Sequence, residues 1–155
     1  MHTARARGFT LIELLVVMVI LGITLGLVTL NALPGREQGM RDDAQRIALL
    51  LQLARDEAIV RNRQIAFEAD SEGYRFLIRN DKQWELPVQD DMLRERPFKH
   101  GPLALLLDPP SSDSGRGLRI VFGREPVDKP FILTLRSGET AITIRADGIG
   151  HFTVD

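Results

Sequence analysis

The chain has 155 residues, 44% of them hydrophobic, with 20 Lys and Arg against 21 Asp and Glu for a formal net charge of −1. That length fits one ordinary domain and excludes a large multidomain enzyme. Near-neutral charge argues against an overall electrostatic nucleic-acid binder, which carries a basic excess. With no cysteine there is no disulfide framework, thiolate metal site or cysteine nucleophile.

The average conceals an asymmetry. Residues 1–8, MHTARARG, carry Arg5 and Arg7 and no acid. The following 25 residues, Phe9 to Leu33, include 18 hydrophobic ones. As one helix that run would be about 37 Å long at ~1.5 Å per residue, enough to cross a hydrocarbon core of ~30 Å with some tilt. Arg5 and Arg7 should hold the N-terminus on the cytoplasmic side and send the residues after Leu33 across. The run exceeds the apolar core of an ordinary secretory signal and lacks an A-x-A site at its end, so it reads as retained.

Glu13 is the one charge inside the run. A carboxylate costs roughly 2.5–3.5 kcal/mol at mid-membrane and less near the interface. It could snorkel to the headgroups, or it could meet a cation on assembly. A cut after Gly8 would supply one, because the freed α-amino group of Phe9 is a cation at neutral pH. Phe9 and Glu13 are four residues apart, on one helix face. In a staggered array the amine of one subunit could meet the carboxylate of another.

Gly8-Phe9-Thr10-Leu11-Ile12-Glu13-Leu14 resembles the type III signal of type IV pilins and pseudopilins. The resemblance implies cleavage between Gly8 and Phe9 by a prepilin peptidase, N-methylation of Phe9, and a role for Glu13 in recruitment and register within a helical filament. Removal of residues 1–8 would leave 18 basic and 21 acidic side chains, a charge of −3.

Leu33-Pro34-Gly35 should kink or briefly break the helix, since Pro lacks an N–H and crowds the preceding turn. Arg36 to Arg63 then reads as amphipathic. Ala44, Ile47, Leu51, Ala54 and Ala58 form one apolar stripe, opposite a mixed-charge, solvated face of Arg41, Asp42, Arg46, Arg55, Asp56, Glu57 and Arg61. After Asn62 the period becomes two. Gln64–Ala69 and Tyr74–Arg79 are expected strands joined at Asp70-Ser71-Glu72-Gly73, with Ile65, Phe67, Tyr74, Phe76 and Ile78 inward. Further strands are expected at Leu118–Phe122, Phe131–Arg136, Ala141–Ala146 and His151–Val154, with turns at Ser137-Gly138 and Asp147-Gly148. Leu103–Leu107 is helix or strand. Trp84–Gly101 and Asp108–Gly115 read as irregular loops.

The expected fold class is α+β, a long N-terminal helix on a C-terminal antiparallel β-sheet body. The expected organisation is leader 1–8, membrane and assembly helix 9–33, amphipathic continuation 34–63 and periplasmic body 64–155. This architecture is similar to the pilin fold. Ala54-Arg55-Asp56-Glu57-Ala58-Ile59-Val60-Arg61-Asn62 resembles the A-R-x-E-A-I-x-R-x pattern of H-type pseudopilins, and the ending Ala141 to Val154, with its turn residue Gly148, resembles theirs.

Other candidate sites are bland. His2 leaves with the leader, and His100 and His151 lack metal-ligand spacing. Asp90, Asp91 and Glu95, like Asp108 and Asp113, lack the alternating pattern and turn Gly of a calcium loop. Gly115-Arg116-Gly117 and Gly148-Ile149-Gly150 are turns without the context of a phosphate cradle. Tyr74 and Trp84 read as core or interface aromatics. No catalytic residue, cofactor or metal is expected, and the acidic ending Gly150 to Asp155 gives no basic segment for nucleic acid.

The resemblance implies a non-enzymatic minor pseudopilin of type II secretion, anchored in the bacterial inner membrane with its body in the periplasm. It would help move folded exoproteins from periplasm to secretin. Implied partners are the major pseudopilin, the I-, J- and K-type minor pseudopilins, the inner-membrane assembly platform and the prepilin peptidase. The alternative is a FimT/FimU-like minor pilin of a type IV pilus, serving fibre assembly, adhesion or DNA uptake. A bulky substitution at Gly8 should leave a slower-migrating, unprocessed band in cells containing the peptidase; unchanged processing would contradict the assigned cleavage site.

Overall fold

The computed structural model describes residues 11–87, 90–111 and 117–155, with the side chains of residues 24–34 outside that set. Helix α1 spans Leu11–Val60. The strands are β1 (Ile65–Ala69), β2 (Gly73–Asn80), β3 (Gln83–Glu85), β4 (Arg96–Pro97), β5 (Ala104–Asp108), β6 (Leu118–Phe122), β7 (Phe131–Ser137), β8 (Thr140–Ala146) and β9 (Phe152–Val154). The α+β class is as expected. The helix is unbroken at Pro34, against the break that the Pro-Gly pair suggested. One proline removes one backbone donor, and the i→i−4 bonds on either side can carry the helix past it. The chain divides between Arg36 and Glu37, and the unit Glu37–Asp155 contains all the strands.

Within that unit the small-residue stripe of α1 is the buried one. Met40, Ala44, Ile47, Leu51, Ala54 and Ala58 join the inner faces of both sheets in one core. Three of these are alanines, which lose no side-chain entropy on burial. The helix stops in a Schellman motif. Asn62 takes the left-handed φ of 52°, the Arg63 N–H bonds the Ala58 carbonyl at 3.1 Å and the Asn62 N–H bonds that of Ile59 at 3.2 Å. Asn tolerates that conformation and so ends the helix without glycine.

The antiparallel β-body is made of two sheets. The first has the order β3-β2-β1-β6, with β4 also pairing β2. Register puts Phe67 opposite Phe76 and Ile120, and Ala69 opposite Tyr74, on the face toward the core. The second has the order β5-β7-β8-β9 and turns Leu133, Leu135, Ile142 and Ile144 inward. The ambiguous run near Leu103 is strand β5, because its alternating exposure matches a two-residue period. The stretch expected to be irregular, Trp84–Gly101, contains β4 and most of β3: Asp81 at φ 51° turns the chain back and lays β3 on β2.

β1 is buried on both faces. Outward from the core, Glu68 lies directly across from Arg75 on β2 and Arg119 on β6. Its side chain is 2% exposed. It accepts from Arg75 Nε at 2.8 Å and from Arg119 Nε at 2.8 Å. Trp84 is stacked with the guanidiniums of Arg79 and Arg119, 5.5 and 5.4 Å from its ring centroid. Burial pushes the Glu68 carboxyl up, but hydrogen bonds and charge from Arg119 and then Arg75 outweigh it and hold the group below the usual carboxylate range. The folded-state pKa is therefore below the unfolded one. The carboxylate adds stability above the ordinary carboxylate range and loses it as pH falls through the depressed value. Glu68→Ala should destabilise the body by about 3 kcal/mol, because it leaves two arginines facing each other over a buried strand. Denaturant unfolding at neutral pH and near pH 2 should show that difference shrinking on acidification; a loss independent of pH would contradict the charge-based role.

Candidate assembly site

Glu13 lies on α1 near the start of its described part. Its side chain is exposed, as is every large apolar side chain from Leu11 to Ile23. A continuous apolar surface of that kind marks a membrane or protein contact. Arg5, Arg7, Gly8 and Phe9 lie outside the described residues, as does the Pro34 side chain. Among the described residues no helix is long and apolar enough to cross a membrane; the run expected to do so, 9–33, extends beyond them.

The second candidate element is the helix-to-sheet junction, Ala54–Asn62. Ala54 and Ala58 are fully buried. Glu57 pairs with Arg61 one turn on, through the Arg61 Nε. Arg55, expected on the solvated face, is 8% exposed. It donates through Nη2 to the Pro126 carbonyl and through Nη1 to Asp56 Oδ1, the latter at 3.4 Å. Its guanidinium also covers Gly150, whose φ is 112° and where a Cβ would stand 2.7 Å from Arg55 Nη1. The Asp128 N–H bonds the Gly148 carbonyl at 2.8 Å, joining the loop before β7 to the turn after β8. Burial raises the Asp128 carboxyl above its usual range, against the Gly123 N–H and the Arg55 charge, which lower it. Arg55 thus fastens two loops to the helix. The helical spacing 47-51-55-58 already contained this placement, since four-residue steps from Ile47 and Leu51 reach Arg55. Asp43 is likewise buried, four residues before Ile47, and accepts the Lys99 N–H at 3.0 Å.

The remaining candidates resolve into local structure. Tyr74 packs with Phe67, Phe76 and Phe98 in the core. His100 lies against Gly39 and leaves no room for a Cβ there. His151 Nδ1 meets Asp147 Oδ2 at 2.7 Å within the β8–β9 turn. Asp90 Oδ1 accepts the N–H groups of Met92 and Leu93, as in a capped turn. Asp108 ends β5, while Asp113, Gly115 and Arg116 lie outside the described residues. Among the described residues no group of three His, Cys, Asp or Glu could hold a metal ion.

A long helix whose bare apolar stretch carries Glu13, together with a two-sheet body, defines a pilin-like subunit. The prokaryotic N-terminal methylation motif matches residues 3–29. The chain is similar in fold to the minor pseudopilin EpsH of the type 2 secretion system of Vibrio cholerae, with a TM-score of 0.55 at 20% identity over 72% of this chain and 92% of that one. The family model described as type II transport protein GspH matches residues 43–153. Type II secretion system protein H of Pseudomonas aeruginosa is 31% identical over 137 residues, 86% of this chain and 78% of the relative. The protein H of Aeromonas hydrophila is 30% identical over 98 residues, 60% of this chain and about half, 52%, of that relative. The chain belongs to the GspH family.

Gly150→Ala should cost about 1–3 kcal/mol, since the new Cβ meets the Arg55 guanidinium at a φ that L-residues rarely adopt. Its signature should be faster proteolysis within residues 123–130, measured by limited digestion and mass spectrometry. A destabilised variant with that loop still protected would contradict the fastening role of Arg55.

Proposed function

We propose that this chain is a minor pseudopilin, a structural subunit of the type II secretion pseudopilus that helps move folded exoproteins from the periplasm to the secretin. The observation that carries the reading is the coincidence, on one chain, of Gly8-Phe9 and Glu13 ahead of an apolar helix with a body of the GspH family. The chain's part in transport is mechanical: it adds a shaped unit to a fibre and performs no covalent chemistry.

In this reading a prepilin peptidase removes residues 1–8 on the cytoplasmic side and the new Phe9 amine is methylated. Residues 9–33 lie in the inner membrane, held there by their apolar side chains and oriented by Arg5 and Arg7 before the cut. Residues 34–63 carry the helix to its end at Val60 and the turn that follows, with Pro34 allowing it to bend, and residues 64–155 occupy the periplasm. Glu13 is too costly to leave unpaired among lipid chains. Its partner is the Phe9 amine of an adjacent subunit, and that pairing sets axial register. The neighbours are the major pseudopilin and the I-, J- and K-type minor pseudopilins, assembled on the inner-membrane platform.

Glu13→Leu separates anchoring from assembly, because it makes the run more apolar while deleting the charge. The variant should remain in the inner-membrane fraction, yet fail to restore exoprotein secretion to a deletion strain and fail to co-purify with sheared pseudopili. Normal secretion by that variant would remove the role given to Glu13. Restored twitching in place of secretion would move the chain to a type IV pilus.

A further inference from the structure

Three elements remote in sequence converge where α1 ends: the helix exit, the end of β2 and the loop after β6. The cleft between them has a volume of about 700 Å³, and its charged lining is Arg63, Arg79, Arg124 and Asp81. Two lining residues in the left-handed backbone region shape it, Asn62 at φ 52° and Asp81 at φ 51°. Arg63 Nη1 donates to Asn80 Oδ1 at 2.8 Å, tying the helix exit to β2, and Arg79 Nη1 donates to Gln64 Oε1 at 3.0 Å. Arg79 also stacks on Trp84, 5.5 Å from the ring centroid. These partners are neutral, so they order two guanidiniums without cancelling their charge.

Arg63, Arg79 and Arg124 are exposed, and none of the three makes an ion pair among the described residues. Asp81 is the only acid among the described lining residues. Glu85 comes near, accepting from Asn80 Nδ2. Against those two carboxylates the three guanidiniums still leave a positive surplus.

We infer that this cleft is the docking surface for a carboxylate-bearing loop of a different pseudopilin, the neighbour met at the helix exit in the fibre. The inference rests on the assembly role proposed above and names a surface for it. Guanidinium forks already held in place match carboxylates in pairs and lose less side-chain freedom on binding. Arginine and tryptophan are also the residue types that dominate interface energies. Position disfavours lipid headgroups. The chain enters the body at Glu37, after the residues proposed to lie in the bilayer, and α1 then advances about 35 Å to Val60 at ~1.5 Å per residue. Composition disfavours nucleic acid, since 21 acids against 20 bases give the whole chain no field that attracts a polyanion. In a fibre whose subunits all enter from one membrane, bodies meet through unlike patches, a heterologous contact that need not close. The neighbours proposed for this chain are other pseudopilins, so the matching carboxylates belong to them.

The test uses the full chain in a deletion host that carries the rest of its secretion system. A benzophenone amino acid takes the place of Glu125, which is exposed and adjoins Arg124. Illumination should give an adduct with another pseudopilin, mapped by mass spectrometry to a peptide containing Asp or Glu. Arg124→Gln, which removes an exposed charge and no ion pair, should lower that adduct about threefold. Adding Arg63→Glu should lower it about tenfold or more through like-charge contact. Replacing the mapped carboxylate of the partner by Arg should then restore it, which requires a folded body in the doubly substituted chain. An adduct with a second copy of this chain, with nucleic acid or with phospholipid would overturn the inference. So would an adduct on a peptide without acids, or one that neither substitution lowers or the partner's charge change fails to restore. A second benzophenone site at Val16, in the exposed apolar stretch, separates the two levels. Pseudopilin adducts at Val16 with none at the cleft overturn this contact alone, whereas none at either site overturns the assembly reading itself.

Discussion

The body depends on one packing constraint: α1 must sit against two sheets at once. The three alanines Ala44, Ala54 and Ala58, all fully buried, keep that face of the helix small. Larger residues lie between them, with Met40, Ile47 and Leu51 in the same core as Phe67, Phe76 and Phe122. Enlarging one of the alanines would force strands outward, and a close-packed interior yields to overpacking at a cost of roughly 1–3 kcal/mol. The loops that Arg55 fastens, and the strands that pair across Glu68, are positioned only because this helix face fits first.

Two opposite uses of apolar surface share the helix. From Glu37 onward most apolar residues lie on a stripe buried in the core, with Leu49 and Val60 left exposed, and most charged residues face water. From Leu11 to Ile23 they surround the axis and all are exposed. A helix apolar on every side has no solvent-facing side to offer and requires lipid or other helices around it. Membership of the GspH family gives that requirement a setting in protein secretion.

Much of this was legible in the residues. The alternation of Ile65, Phe67, Tyr74, Phe76 and Ile78 gave strand direction and inward face, because period two maps directly onto the two faces of a sheet. The stripe of α1 appeared at its helical spacing. What escaped were the features that depend on residues meeting from afar. Short β3 and β4 carry too few residues for a periodic signal and exist through pairing with β2. The division into two sheets is a long-range choice that local patterning does not encode. Arg55 looked solvated because arginine usually is, although its position relative to Leu51 put it on the buried side. Of the assembly signal, Glu13 falls among the described residues, on α1, and its role and the Gly8-Phe9 junction remain readings of the sequence.

Glu68 has a consequence for how the hairpin finds its partners. Sliding β2 by two residues along β1 would keep every side chain on its own face, and Phe67 would still meet an apolar neighbour in Tyr74 or Ile78. Apolarity alone is nearly degenerate among these alignments. The carboxylate is not, since the same slides would set it against Gly73 or Leu77 in place of Arg75 and leave the buried charge with only Arg119 of its two donors. A single acid on the far side of a strand thus discriminates between pairings that the core would accept almost equally.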